Sequence, residues 1–145
     1  MLSQYLIHIS GSLQGTKGVS FEQGEAMKSI FYYTDICMLL SKEEKELEKI
    51  SRCLDIFEES KDSIHIVWGM YPNTKKSLSD LNPKVAKAFE GLLDDFRKRE
   101  LGDIVETDDL KGEMMKCDAY YGDINELLYY AGQNKMPIMI ANVDV

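Results

Sequence analysis

Gly122, Asp123, Asn125 and Glu126 fall within the six residues GDINEL (122–127), between a strand-like run and a helix-like one. A helix start leaves backbone N–H groups unpaired, and such a start can hold a phosphate. The side chains point the other way. A phosphate site calls for glycine, serine or a base, whereas Glu126 puts a negative charge in the first helical turn. That charge suits the helix dipole and repels an anion sharing the spot. The turn therefore has the shape of an anion site without its chemistry. Asp35, Asp108, Asp109 and Asp123 could together hold a metal, but three of them also serve as helix caps, which is the simpler role, and no metal is expected. His65 lies inside an apolar run and reads as a strand residue, and no partner is spaced to work with His8. No Ser-His-Asp, HExxH, P-loop or GxGxxG pattern occurs. No residue is assigned a catalytic role and no cofactor is expected.

The elements that must position these residues are legible along most of the chain. SIFYYT (29–34) and SIHIVWGM (63–70) read as buried strands. DIVET (103–107), DAYYG (118–122) and PIMIAN (137–142) supply three more. Between them lie helical patterns. Ser41 with Glu44 has the spacing of a capping box, and Leu47, Ile50, Leu54 and Phe57 recur at three and four through about Ser60. Asn82–Pro83 opens a second helix carrying Val85, Phe89, Leu92, Leu93 and Phe96. Asp108 or Asp109 can cap a short helix through Met114 and Met115, and Asp123 with Glu126 can cap one bearing Leu127, Leu128 and Ala131. The alternation predicts an α/β, doubly wound, mostly parallel five-stranded Rossmann-like sheet over residues 28–145. Residues 1–27, with YLIHI (5–9) and four glycines, are expected to form a strand and loop arm. The chain ends on the fifth strand, so a helix that would follow it is expected to be missing.

In such a sheet ligands bind beyond the C-terminal strand ends. Thr34–Asp35, Trp68–Pro72, Thr107–Asp109, Gly122–Glu126 and Asn142–Asp144 occupy those places. Tyr32, Tyr33, Tyr120, Tyr121, Tyr129 and Tyr130 are expected as core and groove walls, and Met114 and Met115 as core.

The chain has 145 residues, 44% of them apolar, enough for one domain with a sizeable core. Its net charge of −8 argues against nucleic acid or an anionic membrane as the main partner. Lys and Glu interleave along the helices, which favours a solvated surface over mimicry of DNA. No apolar run reaches the roughly 18 residues of a membrane span, and the N-terminus lacks the pattern of a secretory signal. Cys37, Cys53 and Cys117 have no CxxC spacing and read as reduced thiols of a cytoplasmic protein.

VWGMYP (67–72), DAYYGDINEL (118–127) and KMPIMIANV (135–143) resemble the C-terminal lobe of CDP-glycerol glycerophosphotransferase-like proteins, which belong with the two-lobed GT-B-type glycosyltransferases. IFYYTDICMLLSKEEKELEKI (30–50) fits the same pattern. The resemblance implies a single GT-B-type lobe, with Trp68, Tyr71, Gly122, Asp123, Asn125 and Glu126 at the nucleotide and phosphate contacts. Trp68, Pro72, Gly122 and Asp123 match the family pattern. Gly69, Met70 and Tyr71 stand where it has arginine, proline and histidine, and Asn125 and Glu126 replace two serines. The resulting expectation is a non-catalytic binding or assembly module. The alternative is the nucleotide-diphosphate-glycerol- or sugar-binding half of a transferase completed by a separate chain. Trp68, Met70, Tyr71, Tyr121 and Ile124 are expected to form an apolar cleft face. A homodimer or another protein partner would cover it, with a nucleotide diphosphate as a weak ligand.

Overall fold

A computed structural model describes residues 27–140. The arm over residues 1–26, including YLIHI and His8, and the stretch 141–145, including Asn142–Asp144, lie outside the described residues.

The elements run β1 (Lys28–Tyr33), α1 (Ile36–Lys42), α2 (Glu44–Glu59), β2 (Ile64–Met70), α3 (Thr74–Leu81), α4 (Pro83–Lys98), β3 (Gly102–Glu106), α5 (Leu110–Met115), β4 (Ala119–Gly122), α6 (Leu127–Gln133) and β5 (Ile138–Ile140). The five strands form one sheet in the order β3-β2-β1-β4-β5. Every pairing is parallel. Tyr32 sits at the centre of the sheet, in register with Trp68 on β2 and with Tyr121 on β4.

Successive side chains of a strand point to opposite faces, and this pleat divides the core in two. On one face Ile30, Tyr32, Ile66, Trp68, Met70 and Tyr121 pack against Leu39 of α1, Ile50, Leu54 and Phe57 of α2, Leu78 of α3 and Phe89, Leu93 and Phe96 of α4. On the other, Phe31, Tyr33 and Tyr120 pack against Leu110 and Met114 of α5 and Leu127 and Ala131 of α6. Helices on both faces of an all-parallel sheet make the fold Rossmann-like and doubly wound. Aromatic contacts knit the first face: the Tyr32 and Tyr121 rings stack at 5.6 Å, and Trp68 meets Phe96 edge-on at 5.3 Å.

Two helix starts follow the expected chemistry. The Asn82 side chain accepts from the Val85 N–H ahead of Pro83, and Asp109 accepts from the Gly112 N–H. The expected capping box does not form. Ser41 lies inside α1, whose cap is Asp35, and the break between α1 and α2 falls at Glu43. Asp123 and Glu126 do not cap α6 either; Asn125 Oδ1 accepts from the Leu127 N–H instead. Met114 is core as expected, whereas Met115 faces solvent.

Candidate functional site

The chain after β1 turns to one face of the sheet and the chain after β4 to the other. The C-terminal ends of these two neighbouring strands therefore bound the crevice where ligands of this fold class bind. Gly122 ends β4 in contact with β1: a Cβ added there would stand 2.3 Å from the Tyr33 carbonyl oxygen. Only a glycine lets the two strand ends lie so close. The Asp123 N–H continues the contact by donating to the Tyr33 carbonyl at 3.1 Å.

Asp123 then turns inward and is 1% exposed. Its Oδ2 accepts from the Asp35 N–H at 2.7 Å, and its Oδ1 lies 3.5 Å from Lys49 Nζ. The same ammonium is 3.1 Å from Glu46 Oε1 on α2. The Tyr120 hydroxyl donates to the Asp123 carbonyl and fixes the turn from below. Burial pushes the Asp123 carboxyl upward and the neighbouring Asp35 charge adds to the shift; the Asp35 N–H and Lys49 oppose it. One further donor at each of the two helix starts is also engaged. Asp35 Oδ1 accepts from the Cys37 N–H at 2.8 Å, and Asn125 Oδ1 accepts from the Leu127 N–H at 2.9 Å.

The residues expected at phosphate contacts separate into two groups. Gly122, Asp123, Asn125 and Glu126 line the switch point, and half-buried Tyr71 joins them, edge-on to the Tyr33 ring at 6.3 Å. Burial first, then the Glu126 and Asp35 charges, raise the Tyr71 hydroxyl, and burial with Asp35 pushes Tyr33 up to about 12. Trp68 does not line the crevice. It is fully buried in the first face, its Nε1–H donating to Thr34 Oγ1 at 3.1 Å. Met70 and Tyr121 are buried beside it, so the expected aromatic cleft face reduces to Tyr71 and exposed Ile124. The pleat explains the difference: Tyr121 and Trp68 share the face that α2 and α4 cover. Of the tyrosines expected in core and walls, Tyr129 is exposed and pairs edge-on with Tyr130.

The four aspartates weighed as metal ligands serve in separate places. Asp35 caps α1, Asp109 caps α5, Asp123 is tied to the Asp35 N–H, and Asp108 faces solvent. Among the described residues no group of three or more His, Cys, Asp or Glu side chains is arranged to hold a metal ion. His65 lies along β2 and reaches Asp103 of β3 at 3.0 Å.

Glu46 and Lys49 were not anticipated as site residues. Their signal is present in the pattern: Glu46 stands one helical turn before Ile50, on the stripe that continues through Cys53, Leu54 and Phe57. A carboxylate on an apolar stripe marks a buried charge, and Lys49 three residues on is its counter-ion. A surface groove of about 390 Å³ between α3 and α4, lined by Leu78, Pro83, Phe89 and Lys75 among others, involves no switch-point residue. No helix among the described residues is long and apolar enough to cross a membrane.

Comparisons of the chain with protein-family models, with curated proteins and with solved structures return no match.

Proposed function

We propose that the chain is a non-catalytic binding or assembly module, a Rossmann-like domain that keeps the frame of the GT-B-type lobe it resembles without the phosphate chemistry of that lobe. The observation that carries this proposal is the Asp123 carboxylate on the Asp35 N–H at 2.7 Å. A diphosphate bound at this crevice would need the backbone donors at the starts of α1 and α6. The chain's own Asp123, Asp35 and Asn125 oxygens already accept from three of them, the Asp35, Cys37 and Leu127 N–H groups. A phosphate would have to displace a carboxylate and then stand among Asp35, Asp123 and Glu126, with Lys49 already shared between Asp123 and Glu46. Like charges at such spacing oppose binding rather than favour it. The partner of the module is a second copy or another protein, meeting the crevice edge where Ile124 is exposed and Tyr71 half-buried.

Calorimetry of the full chain against CDP, UDP and CDP-glycerol tests this. No saturable heat is expected, and no turnover of CDP-glycerol above the no-protein control. Saturable binding or turnover would overturn the proposal in favour of a transferase half completed by a separate chain. In that event Glu126→Ser should tighten diphosphate binding by removing a repulsive charge at the helix start.

A further inference from the structure

Glu46 is the third residue of α2 and is 1% exposed. Neither of its carboxyl oxygens has a hydrogen-bond partner. Lys49 Nζ lies 3.1 Å from Oε1, an ion-pair distance without hydrogen-bond alignment. That ammonium is shared with Asp123, so two buried carboxyl groups converge on one cation. Were both ionised, two buried carboxylates would share the single Lys49 ammonium, and Glu46 would have no well-aligned donor. Keeping one proton is the less costly state.

The groups facing Glu46 come from every neighbouring element. Lys42 approaches from α1, Lys49 and Cys53 from α2 itself, Tyr121 from β4 and Asp123 from the β4–α6 turn. Asp35 faces Asp123 from the β1–α1 turn, and the Tyr32 hydroxyl lies against Cys53, within electrostatic reach of Asp123. Only the two lysines favour the carboxylate. Burial first, and then Asp123, outweigh them and push the Glu46 carboxyl above its ordinary range.

The joint beside this cluster is strained. Glu43, between α1 and α2, has φ 47° and ψ −113°, a conformation that L side chains rarely adopt. An open concavity of about 800 Å³ lined by Lys42, Glu43, Glu46 and Lys49 among others adjoins the corner. We propose that the α1–α2 corner is a proton-gated latch: Glu46 holds a proton while the corner is closed over Asp123, and the corner opens as that proton passes to solvent. Opening withdraws Lys49 from Asp123 and uncovers the start of α1 at the switch point. The latch does not depend on the assembly role proposed above.

The sign follows from linkage. The closed corner holds its proton more tightly than the open one, so closure is most stable below the ordinary carboxylate range. It weakens as pH rises from that range towards the raised value of the closed state. Each opening releases one proton in that window, so the opening constant rises about tenfold per pH unit there and is flat above it. Hydrogen exchange of the full chain between pH 4.5 and 8 (about the window in question), divided by the intrinsic exchange rate, measures it. Amides of 36–46 and 123–127 should lose protection with that slope, while those of β2 should not, and Glu46→Gln should abolish the slope. A flat wild-type profile, a slope retained in Glu46→Gln, or a slope shared by β2 would each overturn the latch. If Glu46→Gln does not fold, the carboxyl carbon resonance of Glu46 in the wild type decides: a titration midpoint at or below the ordinary glutamate value overturns the latch, and one above it supports it.

Discussion

Residue 69 is where the resemblance puts an arginine, and the pleat gives a glycine there a different meaning. A Cβ on Gly69 would lie 2.5 Å from the Phe31 ring and 3.1 Å from Leu110 Cδ2, inside the second face. The side chain at this position is directed into the core and not at the crevice, so glycine here is a packing choice rather than a lost contact. Gly69→Arg is therefore expected to destabilise the fold by at least about 3 kcal/mol, from overpacking and a buried charge together, without creating any diphosphate affinity. Urea unfolding checks it: an unchanged midpoint would mean that the arginine escapes to the crevice. Trp68 illustrates the same confusion from the other side. It matches the family pattern in letter, but its ring is packed between Tyr32, Phe89 and Phe96, and its one polar atom is spent on Thr34. Trp68→Phe should cost about 1–3 kcal/mol, through the orphaned Thr34 hydroxyl and the lost ring volume. Its effect on any ligand should be nil.

At the scale of elements, Glu43 separates two helices where the sequence suggests one. Replacing it by glycine removes a side chain from a backbone conformation costing of order 1–3 kcal/mol, against a glycine penalty of about 0.5–1 kcal/mol and the exposed hydrogen bond from Asn82. A net gain of about 1 kcal/mol is expected for Glu43→Gly, read as a raised urea midpoint; a loss would show that the joint is not strained. The helix start at Asn82 runs the other way: Asn82→Ala should cost about 1 kcal/mol through the freed Val85 N–H. All five strands and four helices with long or well-capped patterns were legible, because their apolar periods match what they bury. α1 and α3 were not. In α1, ICMLLSK is apolar on several sides, and Ser41 imitates a cap that Asp35 actually provides. In α3, TKKSLSDL buries only Thr74 and Leu78, too few positions to draw a stripe. The switch point was legible as a place, since strand-to-helix turns mark it. Its polar wiring was legible only within α2, as the Glu46–Lys49 pair: Asp35, that pair and Asp123 come from three separate segments and meet only through the order of the strands.

For the molecule as a whole, one consequence of the central aromatic sheet is its behaviour in base. Tyr32, Tyr33, Tyr120 and Tyr121 are all buried, and burial is the leading cause that raises each hydroxyl. Tyr121 shares its hydroxyl with the Cys53 thiol at 3.2 Å, and burial raises that thiol too. In the unfolded chain the tyrosines ionise near the ordinary value of about 10. For an acid whose folded value is raised, the folded state binds more protons than the unfolded one between the two values, so stability falls as pH rises through that window. It is fully present below about pH 10 and declines above it. Each tyrosine contributes a slope of about 1.4 kcal/mol per pH unit once the unfolded chain ionises, and four together contribute roughly 5–6. Domains are stable by only about 5–15 kcal/mol, so about one to three pH units above 10 should unfold this one. The expected outcome is a steep alkaline transition in which the tyrosinate absorbance of these four buried residues and the loss of far-ultraviolet circular dichroism coincide. Tyr121→Phe should make the transition shallower by about one proton. Tyrosinate absorbance that reached its full amplitude, for all eight tyrosines, with the helical signal intact would mean that the sheet admits solvent to its central rings and that their burial does not govern stability.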